Sequence, residues 1–373
     1  MIRLEPFPQD SLIHTSLPRT SLIGDTSLIR TVDELDDRLS EPTEATVRAM
    51  AALKGDLVIL GIGGKMGPTL ARMAKRASDL AGVERRIIGV SRFSASSGSS
   101  ASSALEQRLN SWGIETHRAD LLDPTQHSQL PAAPNVLFMA GMKFGATGQE
   151  SLTWAMNTFL PGLVCQRYRK SRIVVFSTGN VYGLSPVSRA GSIETDPLQP
   201  LGEYAQSCLG RERIFEHFSR TQGTEIAILR LNYASELRYG VLLDIAQRVQ
   251  ADDVISLEMG HLNAIWQGDA AAIALQSLLH TSSPPFVLNI AGPELLSVAR
   301  VAAHFGELLQ KPVRYGGVES PDALLSNAQK SIQLFGYPQV NIGQLMRWIA
   351  QWVAKGGETL NKPTHFENRA GDF

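Results

Sequence analysis

The stretch from Asp56 to Arg72, DLVILGIGGKMGPTLAR, constrains the fold more than any other part of the chain. Leu57-Val58-Ile59-Leu60 is an uninterrupted apolar run, as expected of a strand buried on both faces of a parallel sheet. It stops at Gly61, and Gly64 and Gly67 follow at intervals of three, with Gly63 between them. Pro68 suits a first helical turn, and Leu70, Met73 and Ala74 begin a helical face. Strand, glycine turn and helix in succession are the setting of a dinucleotide site. In that setting Gly61 makes the tight turn, Gly64 lets backbone N–H groups approach a pyrophosphate, and Gly67 lets helix and strand pack closely. The phosphates would lie at the helix N-terminus, where unpaired N–H groups favour anions. Gly63, Lys65 and Met66, inside the same turn, complete this cofactor-binding set. A glycine-rich loop with no ligand is the plain alternative.

The pattern then repeats. Arg86–Val90 reads as a second strand, followed by Ser91-Arg92 where an acidic residue would hold an NAD ribose. A hydroxyl followed by Arg suits a 2′-phosphate, so NADP is favoured over NAD; a surface arginine is the alternative. Serines and alanines over 94–103 read as a flexible connection. A helix near 104–112 leads to a third strand, Ile114–Arg118, ending in Ala119-Asp120-Leu121-Leu122. Asn135–Ala140 is a fourth strand with exit loop Gly141–Gly145, and Gln149–Tyr168 is helical but strained by Pro161-Gly162. Arg172–Ser177 is a fifth strand. Such alternation predicts an α/β fold, a Rossmann-type doubly wound parallel sheet, with ligands at the C-terminal strand ends.

Weaker alternation after residue 225, with Asp269 as a helix cap, predicts a smaller C-terminal substrate lobe. The expected organisation is a loosely ordered leader at 1–40, a nucleotide-binding domain at 41–235, and a substrate lobe interleaved with late sheet elements at 236–373. The acidic run Asp33-Glu34-Leu35-Asp36-Asp37 reads as a solvated face. A net charge of −1 offers no basic excess for nucleic acid or an anionic membrane. No apolar run approaches the ~20 residues of a membrane helix. Two cysteines make no disulfide framework, which points to a reducing, cytoplasmic setting. The eight histidines show no metal spacing, so no metal is expected.

Beyond the fifth strand come Ser177-Thr178-Gly179-Asn180-Val181-Tyr182-Gly183, then Glu194-Thr195-Asp196-Pro197-Leu198-Gln199-Pro200, then Gly202-Glu203-Tyr204-Ala205-Gln206-Ser207-Cys208. With the turn at 61–67 and Asp120-Leu121, these pieces in order resemble the extended short-chain dehydrogenase/reductase family of epimerases, dehydratases and reductases of sugar nucleotides. The resemblance runs from about residue 56 to 310. It implies that Tyr204 moves the proton of a substrate hydroxyl while Thr178 holds the substrate oxygen. It further implies that Lys143, in AGMKFG at 140–145, reaches the cofactor beside Ala140 and Gly141. Asn157 would also face the cofactor, Asp120 and Leu121 would flank the adenine, and Asn180 and Asn232 would meet a carbohydrate-like substrate. Family members commonly dimerise by bundling the helices here at 149–168 and 203–220. Leu152, Met156, Phe159, Leu163, Phe215 and Phe218 supply apolar surface for that.

One departure matters. The family pattern places lysine four residues after the tyrosine, one helical turn on, and here Cys208 stands there. That lysine lowers the tyrosine pKa, which Cys208 cannot do well; a buried apolar role suits it better than a reactive thiol. Two readings remain open: an oxidoreductase, epimerase or dehydratase in which another cation substitutes, or a cofactor-binding sensor or scaffold without efficient hydride transfer.

Overall fold

A computed structural model describes residues 28–93, 99–143 and 148–371. Residues 1–27, the serine-rich connection at 94–98, and Phe144-Gly145 of the exit loop lie outside the described residues. Seven strands form the central sheet: β1 (Leu57–Leu60), β2 (Ile87–Ser91), β3 (Glu115–Arg118), β4 (Asn135–Phe138), β5 (Arg172–Thr178), β6 (Ile226–Leu231) and β7 (Phe286–Ile290). All pair in parallel, in the order β3-β2-β1-β4-β5-β6-β7. The order reverses between β1 and β4, and there the crevice at the strand ends opens.

The helices are α1 (Val32–Leu39), α2 (Glu44–Ala52), α3 (Gly67–Leu80), α4 (Ser99–Ser111), α5 (Glu150–Trp154), α6 (Leu160–Arg167), α7 (Gly202–Gln222), α8 (Val241–Gln250), α9 (Gln267–Gln276), α10 (Val298–Leu309), α11 (Gln329–Phe335) and α12 (Ile342–Ala354). Alternation along β1 divides its side chains between two layers. Leu57 and Ile59 pack with Met50, Leu70 and Ala274, while Val58 and Leu60 pack with Leu160, Val164 and Phe215. A third core joins α8, α10 and α12 through Leu242, Phe305 and Trp348.

The last part of the expected leader is helical and packed. In α1, Thr31 caps the Glu34 N–H, Glu34 returns to the Thr31 N–H, and Leu35 and Leu39 are fully buried in the lobe core. Asp36, expected on a solvated face, is buried instead. It pairs with Arg238 at 3.0 Å and with Arg108. Removing residues before Thr43 is therefore expected to lower stability by about 3–6 kcal/mol, the burial worth of two leucines. Urea unfolding checks this, and an unchanged midpoint would show that α1 contributes nothing.

Asp269 is not a cap. Trp266 precedes α9, and Asp269 sits in its first turn, accepting the Gln339 and Val340 N–H groups at 3.0 and 3.1 Å. It ties the lobe to the sheet's helices, and burial pushes its carboxyl up to about 6 despite those two bonds.

Candidate functional site

At the switch point a cavity of about 430 Å³ lies between the C-terminal ends of β1, β4, β5 and β6 and the lobe. The glycine turn forms one wall. Gly61 adopts φ +89°, and a Cβ there would lie 2.6 Å from the Ala140 nitrogen, so only glycine lets β1 and β4 exit side by side. A Cβ on Gly67 would meet the Ile62 carbonyl oxygen at 2.3 Å, which fixes the close seating of α3. Gly64 is exposed toward the cavity. The α3 N-terminus has no side-chain cap and no acidic residue in its first turn. The Gly67 N–H goes to the Gly64 carbonyl at 3.2 Å and Pro68 has none, so an anion there would be met by the turn and the positive end of α3, and the glycine cradle fits a dinucleotide pyrophosphate.

The opposite wall is the exit loop after β4, and its shape follows from a break in the helix behind it. Ala155–Phe159 is a π-helical turn between α5 and α6. Pro161 has no N–H to give the Asn157 carbonyl, which instead accepts a long bond from the Arg211 Nε at 3.4 Å. Arg211 also donates to Asn157 Oδ1 at 2.5 Å and to the Phe176 carbonyl at 2.7 Å. Asn157 in turn grips both backbone groups of Met142, accepting its N–H and donating to its carbonyl, each at 2.9 Å. A Cβ on Gly141 would collide with Arg211 Nη2 at 2.3 Å. The loop is thereby held so that Lys143 enters the cavity.

Tyr204, near the start of α7, faces the same space. Its hydroxyl is hydrogen-bonded with Thr178 and with Cys208. Burial pushes the Tyr204 hydroxyl well above its ordinary pKa and Cys208 adds to this, while Arg211 and the Thr178 bond pull the other way. Cys208 itself is fully buried beside Val181 and Tyr182, and burial raises its thiol. Lys143 Nζ lies 5.7 Å from the Tyr204 ring centroid. Burial lowers the Lys143 ammonium to about 8, opposed by the field of Cys208 and Asp244.

Of the residues expected from the sequence, Gly61, Gly64, Lys65, Met66, Gly67, Gly141, Lys143, Thr178, Asn180, Tyr204 and Asn232 line the cavity. Gly63 stands beside it against Ser91, whose hydroxyl would be 2.8 Å from a Cβ on Gly63. Ala140 abuts Gly61. Asp120 and Leu121 lie at the end of β3, where Asp120 Oδ1 accepts the Leu122 N–H at 3.0 Å and the Leu121 carbonyl bonds His127 at 2.7 Å. Asn157 is buried behind the exit loop and holds it rather than lining the cavity. Asn232 donates to Asn263 Oδ1 at 3.1 Å, linking the cavity to the 324–326 segment.

Arg211, Tyr233, Tyr239, Lys362 and Thr364 also line the cavity and were missed. Arg211 had a signal: with Tyr204 and Cys208 it marks one face of α7 at i, i+4 and i+7. Lys362 had none, because it sits on an irregular C-terminal segment. Among the described residues no group of three His, Cys, Asp or Glu is placed to hold a metal, and no helix is long and apolar enough to cross a membrane.

Residues 57–237 match the family model described as NAD dependent epimerase/dehydratase family. No curated protein sequence matches the chain. Among solved structures, the chain is similar to the UDP-glucuronic acid 4-epimerase of Bacillus cereus in complex with UDP-glucuronic acid and NAD, at 16% identity and a TM-score of 0.67, covering 80% of this chain and 99% of that one. It is also similar to the dTDP-glucose 4,6-dehydratase of Bacillus anthracis in complex with NAD, at 14% identity, TM-score 0.66, and 81% and 97% coverage. A third is the UDP-glucose 4-epimerase of Thermus thermophilus with NAD, at 18% identity, TM-score 0.62, and 79% and 98% coverage. These likenesses establish the fold, a Rossmann-type α/β sheet with a smaller lobe. They overturn the expected preference for NADP, since the neighbours are bound to NAD. Arg92 is exposed at the end of β2. A basic residue after a strand supplies charge, but its position in sequence does not turn its side chain onto a ribose.

Proposed function

We propose that this chain is an NAD-dependent enzyme of the extended short-chain dehydrogenase/reductase type, an epimerase or dehydratase acting on a sugar nucleotide. The observation that carries this reading is the meeting of Tyr204, Thr178 and Lys143 with the glycine turn in one cavity at the switch point. The family model over residues 57–237 and the NAD-bound neighbours support it. The rival reading, a cofactor-binding scaffold without hydride chemistry, draws no support from either.

Bound NAD would accept a hydride from a substrate carbon or return one to it. The chain's own residues do the rest. Gly61, Gly64 and Gly67, with Lys65 and Met66 between, hold the pyrophosphate, and Ser91, Asp120 and Leu121 mark the adenosine end. Tyr204 gives or takes the proton of the substrate oxygen, and Thr178 fixes that oxygen. Asn180 and Asn232 meet the sugar. Cys208 stands where the family has lysine, and Lys143, entering from the exit loop, supplies the missing cation near Tyr204. Incubating the protein with NAD and a panel of sugar nucleotides, with products read by NMR, tests the reading. Conversion of none of them, with NAD bound, would contradict it.

The role of Lys143 has a pH signature. Its ammonium loses its proton near 8 rather than near the ordinary lysine value of about 10.4, so the cation disappears as pH rises through 8. We expect kcat/KM to fall above about pH 8, and Lys143→Arg, which stays charged, to move that limb upward. A profile flat to pH 10 would separate Lys143 from the chemistry.

We also place the protein in the cytoplasm, on the strength of two free cysteines, and read it as a homodimer. Phe215, expected at the interface, is instead fully buried against Phe138 at 5.2 Å between ring centroids. Leu152, Trp154 and Phe159 remain exposed along α5 and the π turn and support self-association. A monomer mass by light scattering at micromolar concentration would exclude it.

A further inference from the structure

The segment that follows α12 runs from the lobe, past the cavity, to the start of α7. The family model stops at residue 237, so this segment belongs to no part of the matched pattern. Residues 356–371 form no regular helix or strand, yet they are anchored along their length. The Leu360 N–H donates to the Arg238 carbonyl at 3.0 Å. Thr364, which lines the cavity, donates to Asp244 through its N–H at 2.7 Å and its hydroxyl at 2.6 Å. Phe366 is buried in the lobe core. Arg369 donates to the Glu258 carbonyl at 3.2 Å and the Asp322 carbonyl at 3.0 Å, and it pairs with the Asp322 carboxylate. Asn368 Oδ1 accepts the Ala370 and Gly371 N–H groups at 2.8 and 2.9 Å, which turns the chain toward Leu201 and Gly202.

Backbone meets backbone there. Gly202 has φ +75° and Gly371 φ +86°. A Cβ on Gly202 would lie 2.3 Å from the Gly371 carbonyl oxygen, and one on Gly371 would lie 2.2 Å from the Leu201 carbonyl oxygen. Glycine at both positions is what permits this approach. Leu201 gives α7 no side-chain cap, so the first turn is seated by what packs against it. Gly371 bears on Gly202, and the Trp154 indole N–H donates to the Glu203 carboxylate. Tyr204 belongs to that same turn, and its hydroxyl bonds with Thr178. We propose that Arg369 is a positioning residue for Tyr204: it locks the segment to the lobe, Gly371 then seats the first turn of α7, and that turn sets the Tyr204 hydroxyl against Thr178. This deepens the sugar-nucleotide reading and rests on it, since there Tyr204 moves a proton. A displacement of about 1 Å at a reacting group can cost about 10²-fold in rate, so a distant anchor has leverage on the chemistry.

The test reads Tyr204 with and without turnover. The full chain, with its seven tyrosines replaced by fluorotyrosine, is followed by fluorine NMR, and Tyr204→Phe identifies the Tyr204 resonance. We expect Arg369→Ala and Gly371→Ala each to shift that resonance. Each should also lower kcat on a sugar nucleotide by about 10–100-fold, with KM and NAD affinity within about threefold. Arg369→Lys, which keeps a cation for Asp322, should lose less than Arg369→Ala. In a Tyr204→Phe background Arg369→Ala should lower kcat no further, a result that a merely structural role would not give. A Tyr204 resonance that neither variant moves overturns the proposal. So does a fall in kcat of equal size with and without the Tyr204 hydroxyl, or a moved resonance with kcat unchanged. A parent protein that converts no sugar nucleotide, while its Tyr204 resonance still answers to Arg369, loses the broader function and keeps the seating of Tyr204.

Discussion

Replacing Tyr204 by Phe is expected to lower kcat by about 10²–10⁴-fold, the usual worth of a positioned acid–base group. The ring, its packing in α7 and the cavity shape all remain, so KM and NAD affinity should stay within a few-fold. What is lost is the hydroxyl that bonds with Thr178 and Cys208. Because burial holds that hydroxyl protonated well beyond neutrality, the resting site carries an acid, and its conversion to a base depends on nearby cations. Arg211 already pulls the value down, and Lys143, 5.7 Å from the Tyr204 ring centroid, is the cation proposed to join it. Steady-state conversion of a sugar nucleotide, with calorimetry of NAD binding, measures both sides of the expectation. A Tyr204→Phe enzyme within threefold of the parent would assign the proton transfer to another group.

The second large effect lies beneath the site. Glu212 and Arg230 form an ion pair at 2.8 Å with side chains only 4% and 5% exposed. Glu212 also accepts the Ser177 hydroxyl at 2.6 Å. Arg230 donates to the Tyr182 hydroxyl at 2.8 Å, and that hydroxyl donates to Asn289 Oδ1 at 2.7 Å. Glu194 joins in, its carboxylate accepting the Asn289 N–H at 2.8 Å and its carbonyl accepting from Arg230 at 3.1 Å. Glu194, the first acidic residue of the 194–200 stretch, is therefore a fastening of β5, β6, β7 and α7. Glu212→Ala leaves a guanidinium buried with half its partners gone, and should cost about 3–5 kcal/mol. Denaturant unfolding reads this directly, and a loss below about 1 kcal/mol would mean that water or a neighbour compensates Arg230. Glu212→Gln keeps the shape and some bonds and should lose less.

What could be read from the chain divides along physical lines. Strands β1, β2, β4 and β5 and the turn at 61–67 rest on local signals: apolar runs, glycines that no side chain could replace, and a proline at a helix start. Tyr204, Thr178 and Lys143, which line the cavity, stand in motifs that are legible in order along the chain. Residues whose position depends on distant anchors are not. Asp36 sits in an acidic run that looks solvated, and distant arginines, Arg108 and, 202 residues away, Arg238, make its burial tolerable. Lys362 lies on irregular backbone fixed by Arg238 and Asp244. Helix α1 was within reach, since Thr31 and Glu34 form a capping box, a signal hidden by the aperiodic stretch before it. Arg92 failed for the opposite reason: its charge was legible, and its direction was not.

The most direct test is a crystal structure of the protein with NAD. The pyrophosphate is expected against the glycine turn at 61–67, and the nicotinamide between Lys143 and the Tyr204 hydroxyl. Pyrophosphate bound elsewhere, or a nicotinamide turned away from Tyr204, would contradict that placement.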